Sequence, residues 1–350
     1  MLHQGHPLHR LLPTRSHLKP LDAQVVVVLG ASSGIGRATS LRCAARGAKV
    51  VVAARSEPGL VSLVEEIAAA GGEAIYVVCD VADFAQVHAV ADAAVERFGR
   101  IDTWINVAAT SVYATFEETS LEEFRRVIDV NLMGYVHGAK VALPHLRQAG
   151  GGALIMISSV EGLVSLPLHS AYAASKHAIE GLVDALRREL RAAGVAISVT
   201  SIKPASINTP FFNNALSKMG VKPRGAPPVY HPGIVADCAL YAAEHPVRDL
   251  YAGGAGKAMA VNQMLMPGVL DSILARVGIP AQRTDDPAGD GALYAPRRDD
   301  NRVEGDFSEQ ARRRSPYTWL QTHPTVRLMA GVGGGVAVAG WTRGWRRGSS

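Results

Sequence analysis

A doubly wound α/β domain, with a parallel sheet covered by helices on both faces, is the fold class this sequence predicts, on three observations. Short Val-rich runs such as residues 25–28 and 50–52 alternate with longer amphipathic stretches from about residue 23 to residue 278, the pattern of repeated strand–helix–strand units. The first of these runs leads straight into a cluster of glycines that opens a helix. The composition, 48% hydrophobic and 19% charged with 35 glycines in 350 residues, supplies the apolar material for a sheet buried on both faces. It lies far from the low-hydrophobicity, high-charge signature of a disordered chain.

Residues 1–20 read as a flexible basic tail, interrupted by His, Pro and Arg and lacking the apolar stretch of a secretory signal. His3, His6 and His9 ride on that tail without a second shell to orient them, so no metal site is expected. Strands are expected near residues 24–29, 49–54, 74–79, 102–106, 152–158, 196–202 and 249–252, and helices near 34–46, 57–71, 84–99, 119–148 and 170–193. Ligands of such a sheet bind beyond the carboxyl ends of the strands, so functional residues are sought just after them. One main domain, residues 21–278, results. From there to residue 327 the composition turns to Asp, Arg, Pro and Gly, which reads as a polar, disordered extension within 279–350. The chain then carries an apolar, Gly-rich run at residues 328–341. This is shorter than the roughly 20 residues that cross a bilayer, and suits a peripheral contact with a membrane or a partner.

The formal charge of +5 sits in the tails, because residues 21–280 carry 22 basic against 23 acidic side chains. A basic face for nucleic acid is therefore not expected. Cys43, Cys79 and Cys238 are widely spaced with no CxxC pair, which argues against a disulfide framework or structural zinc and points to the reducing cytoplasm.

Chemistry concentrates at two places. Gly30, Ser32, Ser33, Gly34, Ile35 and Gly36 end the first strand and open a helix; glycines there let the backbone approach a pyrophosphate, whose charge rests on free N–H groups of the helix start. The same residues satisfy the G-x-S-x-G elbow of serine hydrolases through Ser32, although that elbow normally follows several strands and no histidine stands out as its partner. Tyr172 and Lys176 lie four apart and so on one helix face, where an ammonium would favour the phenolate. Ser159 follows a strand thirteen residues earlier, within reach of the oxygen that Tyr172 would protonate.

The glycine motif, Ser159, Tyr172 and Lys176, in this order, resemble the short-chain dehydrogenase/reductase family over about residues 21–255, with its Rossmann-like fold. Asn106, Val107, Ala108 and Ala109 resemble the family's NNAG stretch, and Asn131 falls where the family keeps an Asn supporting a water-mediated proton relay to the lysine. Asp80 and Val81 resemble the pair bordering the adenine. The segment from Pro204 to Pro210 resembles PGxxxTP, which implies that Ile207 and Thr209 lie against the nicotinamide. The second strand ends in Arg55 and Ser56 rather than a carboxylate, which favours NADP(H) over NAD(H); alternatively Arg55 merely begins a solvated helix. Leu29, Val107 and Ala205 depart from the family pattern, and the first two are expected to loosen the tie between glycine loop and fourth strand.

The resemblance implies interconversion of a secondary alcohol and a ketone on a small-molecule substrate by a homo-oligomer, a dimer or tetramer. A non-catalytic dinucleotide sensor or scaffold is the alternative. Phe211, Phe212, Leu216, Met219, Val221 and Tyr230, set among prolines, read as an apolar lid over the substrate or equally as core or an oligomer contact, and Glu161 and His169 are placed to border the substrate.

Overall fold

The structure is a computed structural model and describes residues 18–297 and 299–326. His3, His6, His9 and the apolar run at 328–341 lie outside the described residues.

The first strand, β1 (Val25–Leu29), is buried along its whole length, with Val26 and Val28 in one core and Val25, Val27 and Leu29 in the other. This is the two-residue alternation of a strand that has helices above and below it. The chain continues as α1 (Gly34–Ala45), β2 (Lys49–Ala54), α2 (Glu57–Ala69), β3 (Glu73–Val78), α3 (Phe84–Phe98), β4 (Thr103–Asn106) and a short β5 (Val112–Tyr113). Helix α4 (Leu121–Ile128) opens on a capping box between Ser120 and Glu123 and passes through a π-helical turn, Asp129–Met133, into α5 (Gly134–Gln148). Then follow β6 (Gly152–Ile157), α6 (Ser170–Ala192), β7 (Ile197–Pro204), α7 (Phe211–Asn214), β8 (Leu216–Ser217), β9 (Val221–Pro223), α8 (Gly233–Glu244), β10 (Asp249–Ala252), α9 (Gly254–Leu265), α10 (Pro267–Val277), β11 (Arg283–Pro287) and α11 (Pro316–Thr322).

Seven strands form a parallel sheet in the order β10-β7-β6-β4-β1-β2-β3. Residues of α1, α2 and α8 pack on one face and residues of α3, α5 and α6 on the other. The strand order reverses between β1 and β4, and the crevice at that reversal opens at the strands' carboxyl ends. Every expected strand is present. The expected helix over 119–148 is two helices joined by the π turn, and α8, α9 and α10 were not anticipated.

Residues 279–297 and 299–326 correct the reading of this stretch as a disordered extension, because they fold back onto the domain. Strand β11 pairs antiparallel with β9, and Ala292, Leu293, Asp300, Ser315 and Thr318 are buried. The polar groups that suggested solvation are partnered by the fold instead. The Thr318 hydroxyl accepts from the Gly253 N–H at 3.0 Å and donates to the Tyr251 carbonyl at 3.0 Å, while Asp306 pairs with Lys222 and Arg302. Among the described residues no helix is long and apolar enough to cross a membrane.

Candidate active site

The crevice holds a cavity of about 290 Å³ that reaches from Cys79, Asp80 and Val81 past the glycine loop to Tyr113, Phe212 and Met259. Its first wall is the turn after β1. Gly30 has φ +92°, and a Cβ there would stand 2.5 Å from the backbone nitrogen of Ala108, so only glycine permits this approach. The looser tie expected from Leu29 and Val107 does not follow, because the backbone makes it: Val107 and Ala108 donate to the Leu29 carbonyl at 2.9 and 3.0 Å. Ser32, Ser33, Gly34 and Ile35 line the cavity at the start of α1. Gly36 does not; a Cβ on it would sit 2.0 Å from the Gly30 carbonyl oxygen, so it serves the close packing of helix on turn.

The second wall comes from β6 and α6. Ser159 follows β6, and its oxygen accepts from the Glu161 N–H at 3.1 Å. Tyr172 sits in the first turn of α6 with its ring 5.7 Å from that of Phe211 and 5.9 Å from that of His169. Burial pushes the phenol above its ordinary value, Glu161 adds to the shift, and the Ser159 hydrogen bond opposes it. Burial, the largest influence on the phenol, acts against the lowering expected from the neighbouring Lys176. Lys176 is itself pushed down to about 7 by burial, with Glu180 and Glu161 pulling it back up. Its Nζ donates to the Ile157 carbonyl at 3.0 Å and reaches the Tyr135 hydroxyl at 3.5 Å, standing 5.5 Å from the centre of the Tyr172 ring.

Other expected residues separate into two groups. Arg55, Ser56, Asp80, Val81, Ala108, Pro204, Ile207 and Thr209 all line the cavity. Asn106 does not: it ends β4 facing α5, where its amide accepts from Trp104 Nε1 at 3.3 Å and donates to Met156 Sδ at 3.1 Å. Asn131 also stays behind the wall. Its amide pairs with the Thr110 N–H and carbonyl at 2.8 and 2.9 Å and donates to the Ser175 hydroxyl at 3.1 Å, tying the loop after β4 to α6. Arg55 is turned toward the C-terminal segment, donating to the carbonyls of Ala292, Leu293 and Tyr294 at 2.8, 3.3 and 2.9 Å. The histidine of the cavity wall, His169, is held through Nδ1 by Glu161 at 2.9 Å, with its ring edge-on to those of Tyr113 and Tyr172.

The segment read as an apolar lid is mixed. Phe211 and Phe212 line the cavity, Val221 belongs to β9, and Tyr230 is buried in the core. Of the six buried side-chain polar atoms without a hydrogen-bond partner among the described residues, five belong to cavity-lining residues: Ser158, His169, Asn214, Arg224 and Gln282. Arg224, Gln282 and Asn301 carried no local signal in the sequence, because distant chain segments bring them to the wall.

A seven-stranded parallel sheet with a tyrosine, a lysine and a serine converging beside a glycine loop defines a dinucleotide-fold oxidoreductase. Residues 24–220 match the family model described as short chain dehydrogenase, and the chain belongs to that family. It is 38% identical over 288 residues to the oxidoreductase YxnA of Bacillus subtilis (strain 168), covering 81% of each chain. With dehydrogenase/reductase SDR family member 7B of Danio rerio it shares 34% identity over 251 residues, 69% of this chain and 81% of that one. A crystal structure of a short chain dehydrogenase from Mycobacterium paratuberculosis bound to NAD superposes with a TM-score of 0.60 at 26% identity, over 67% of this chain and 97% of that chain.

Proposed function

We propose that this protein is an NADP(H)-dependent oxidoreductase that interconverts a secondary alcohol and a ketone, with Tyr172 as general acid and base. The observation that carries the reading is the convergence of Ser159, Tyr172 and Lys176 on one cavity that continues to the glycine loop. The residues present fit a dinucleotide: Gly30 and Gly34 line the cavity on the glycine loop, the start of α1 faces the cavity, and the cavity extends to Asp80 and Val81. The NAD in the Mycobacterium paratuberculosis structure supports the same cofactor class. When bound, the nicotinamide ring supplies or accepts a hydride at the substrate carbon. The chain's own residues manage the proton. In the reducing direction the phenol, protonated at neutral pH, gives its proton to a carbonyl oxygen that the Ser159 hydroxyl also holds; burial makes it a weaker acid, so release of that proton depends on a neighbouring positive charge. Lys176, when charged, stabilises the phenolate left behind. Asn131 is a positioning residue that fixes α6, and with it Tyr172 and Lys176, against the loop after β4. The polar atoms at the wall favour a carbonyl compound carrying a further oxygen function over a plain hydrocarbon ketone. Steady-state assays with a panel of ketones test the reading; no turnover with any of them, with either cofactor, would refute it.

Two expected results follow from the site. Ketone reduction should fall as pH rises through about 7, where Lys176 gives up its charge. Glu161 raises Lys176, so Glu161→Gln should move that limb to lower pH; an unmoved limb assigns it to another group. For the cofactor, Arg55 and Arg297 both line the cavity, and β2 ends without a carboxylate. Arg55→Asp should lower the ratio of NADPH to NADH efficiency by about 10- to 100-fold, the worth of a hydrogen bond to a charged group. An equal ratio in both proteins would remove Arg55 from the 2′-phosphate.

A further inference from the structure

Residues 292–297 and 299–308 lie outside the 24–220 stretch matched by the family model, yet they cross the crevice from one end to the other. At the β2 end, the carbonyls of residues 292–294 receive the Arg55 guanidinium, and Arg126 Nε donates to the Leu293 carbonyl at 3.1 Å. In the middle, the Ser56 hydroxyl meets Asn301 Oδ1 at 3.2 Å, Asn213 donates to Asp300 at 2.7 Å, and the N–H of Gly34 donates to the Arg302 carbonyl at 2.9 Å. At the β7 end, the N–H groups of Gly305 and Phe307 donate to the backbone carbonyl and the side-chain oxygen of Asn208, at 3.2 and 2.9 Å. The segment does not fill the crevice. Ala292, Pro296, Arg297, Asp300 and Asn301 share with the glycine loop the lining of a single continuous cavity.

We propose that this strap is the outer wall of the dinucleotide site, closing over the pyrophosphate and holding the cofactor between turns. The proposal rests on the dinucleotide reading above. The strap is pinned at both ends and in the middle to the loops that carry Ser32–Ile35, Arg55 and Thr209, so a dinucleotide lying along those loops lies beneath it. A ligand enclosed in this way leaves only when the strap lifts, and the lifting rate then sets its release.

Gly305 is not itself part of the cavity lining, and crowding it offers a way to lift the strap. A Cβ there would stand 2.5 Å from the backbone oxygen of Thr209 and 2.8 Å from Asn208 Oδ1, so Gly305→Val forces the segment outward. Asp300→Ala, which removes the tie to Asn213, is the second variant should the first fail to fold. NADPH release is measured by stopped-flow fluorescence on displacement, and hydrogen exchange of strap amides is measured with and without NADPH. Release should be faster in either variant by at least about tenfold, with association little changed. Strap amides of the unaltered protein should gain protection when NADPH binds. Unchanged release, or tighter binding in the variants, would overturn the proposal, the latter making the strap a competitor of the cofactor. Failure of the unaltered protein to bind NADPH or NADH would refute the dinucleotide reading itself and the strap's role with it.

Discussion

Tyr172→Phe is expected to cut ketone reduction by more than about a hundredfold while leaving dinucleotide affinity nearly unchanged, since a general acid placed on the reacting oxygen contributes about 10² to 10⁴. The ring is retained, so its packing against Phe211 and His169 survives. Only the hydroxyl is lost. The effect should appear in kcat, with dinucleotide binding measured separately by fluorescence titration. Near-normal turnover in the Phe variant would mean that another group supplies the proton, and the tyrosine mechanism would be abandoned.

Stopping the chain after Gly278 is the other change with a large expected effect. Leu293 is buried with Val112, Ala114, Val127 and Ala171, and Phe307 packs against the cluster of Tyr113, Phe212 and Ala215. Their removal exposes both clusters, takes away the partner of β9 and strips α11 from β10. Burial of a leucine side chain alone stabilises by about 1.5 to 3 kcal/mol. A truncated protein that folds should therefore unfold roughly 10 °C lower, or aggregate through the exposed clusters. Thermal unfolding of both proteins decides the matter. An equal midpoint with full solubility would show that residues 279–350 add nothing to the domain.

The parts of the fold that were legible in the sequence are those whose cause is local. Val25–Leu29 announces a buried strand through its own side chains, and the glycines after it announce a turn that must approach another backbone. Tyr172 and Lys176 declare a shared helix face by spacing alone. The strap was illegible because its ties are backbone groups far apart in the chain: no pattern around Gly34 shows that its N–H meets the carbonyl of Arg302. Its charges misled for the same reason, since Asp300, Arg302 and Asp306 are paired within the fold instead of with water. Asn106 failed differently. Its place at the end of β4 was right, but the alternation of that strand turns its amide toward Trp104 and Met156, away from the crevice. The spacing of Tyr172 and Lys176 could not show their burial, which acts on both groups and favours their neutral forms.

The π-helical turn Asp129–Met133 sets the rotational phase of everything that follows it. An i→i+5 turn takes up one residue more than an α turn in nearly the same rotation, so α5 keeps almost the phase of a direct continuation of α4. Tyr135 thereby donates to the Ile157 carbonyl at 2.7 Å and faces Lys176, and Gly138 leaves room for the Asn106 amide. Tightening the turn to α geometry with every residue kept would rotate α5 by about 100° and carry both off their contacts. A one-residue deletion between residues 129 and 133 would instead be absorbed by the turn: the extra residue is slack that the helix can lose without the two halves falling out of step.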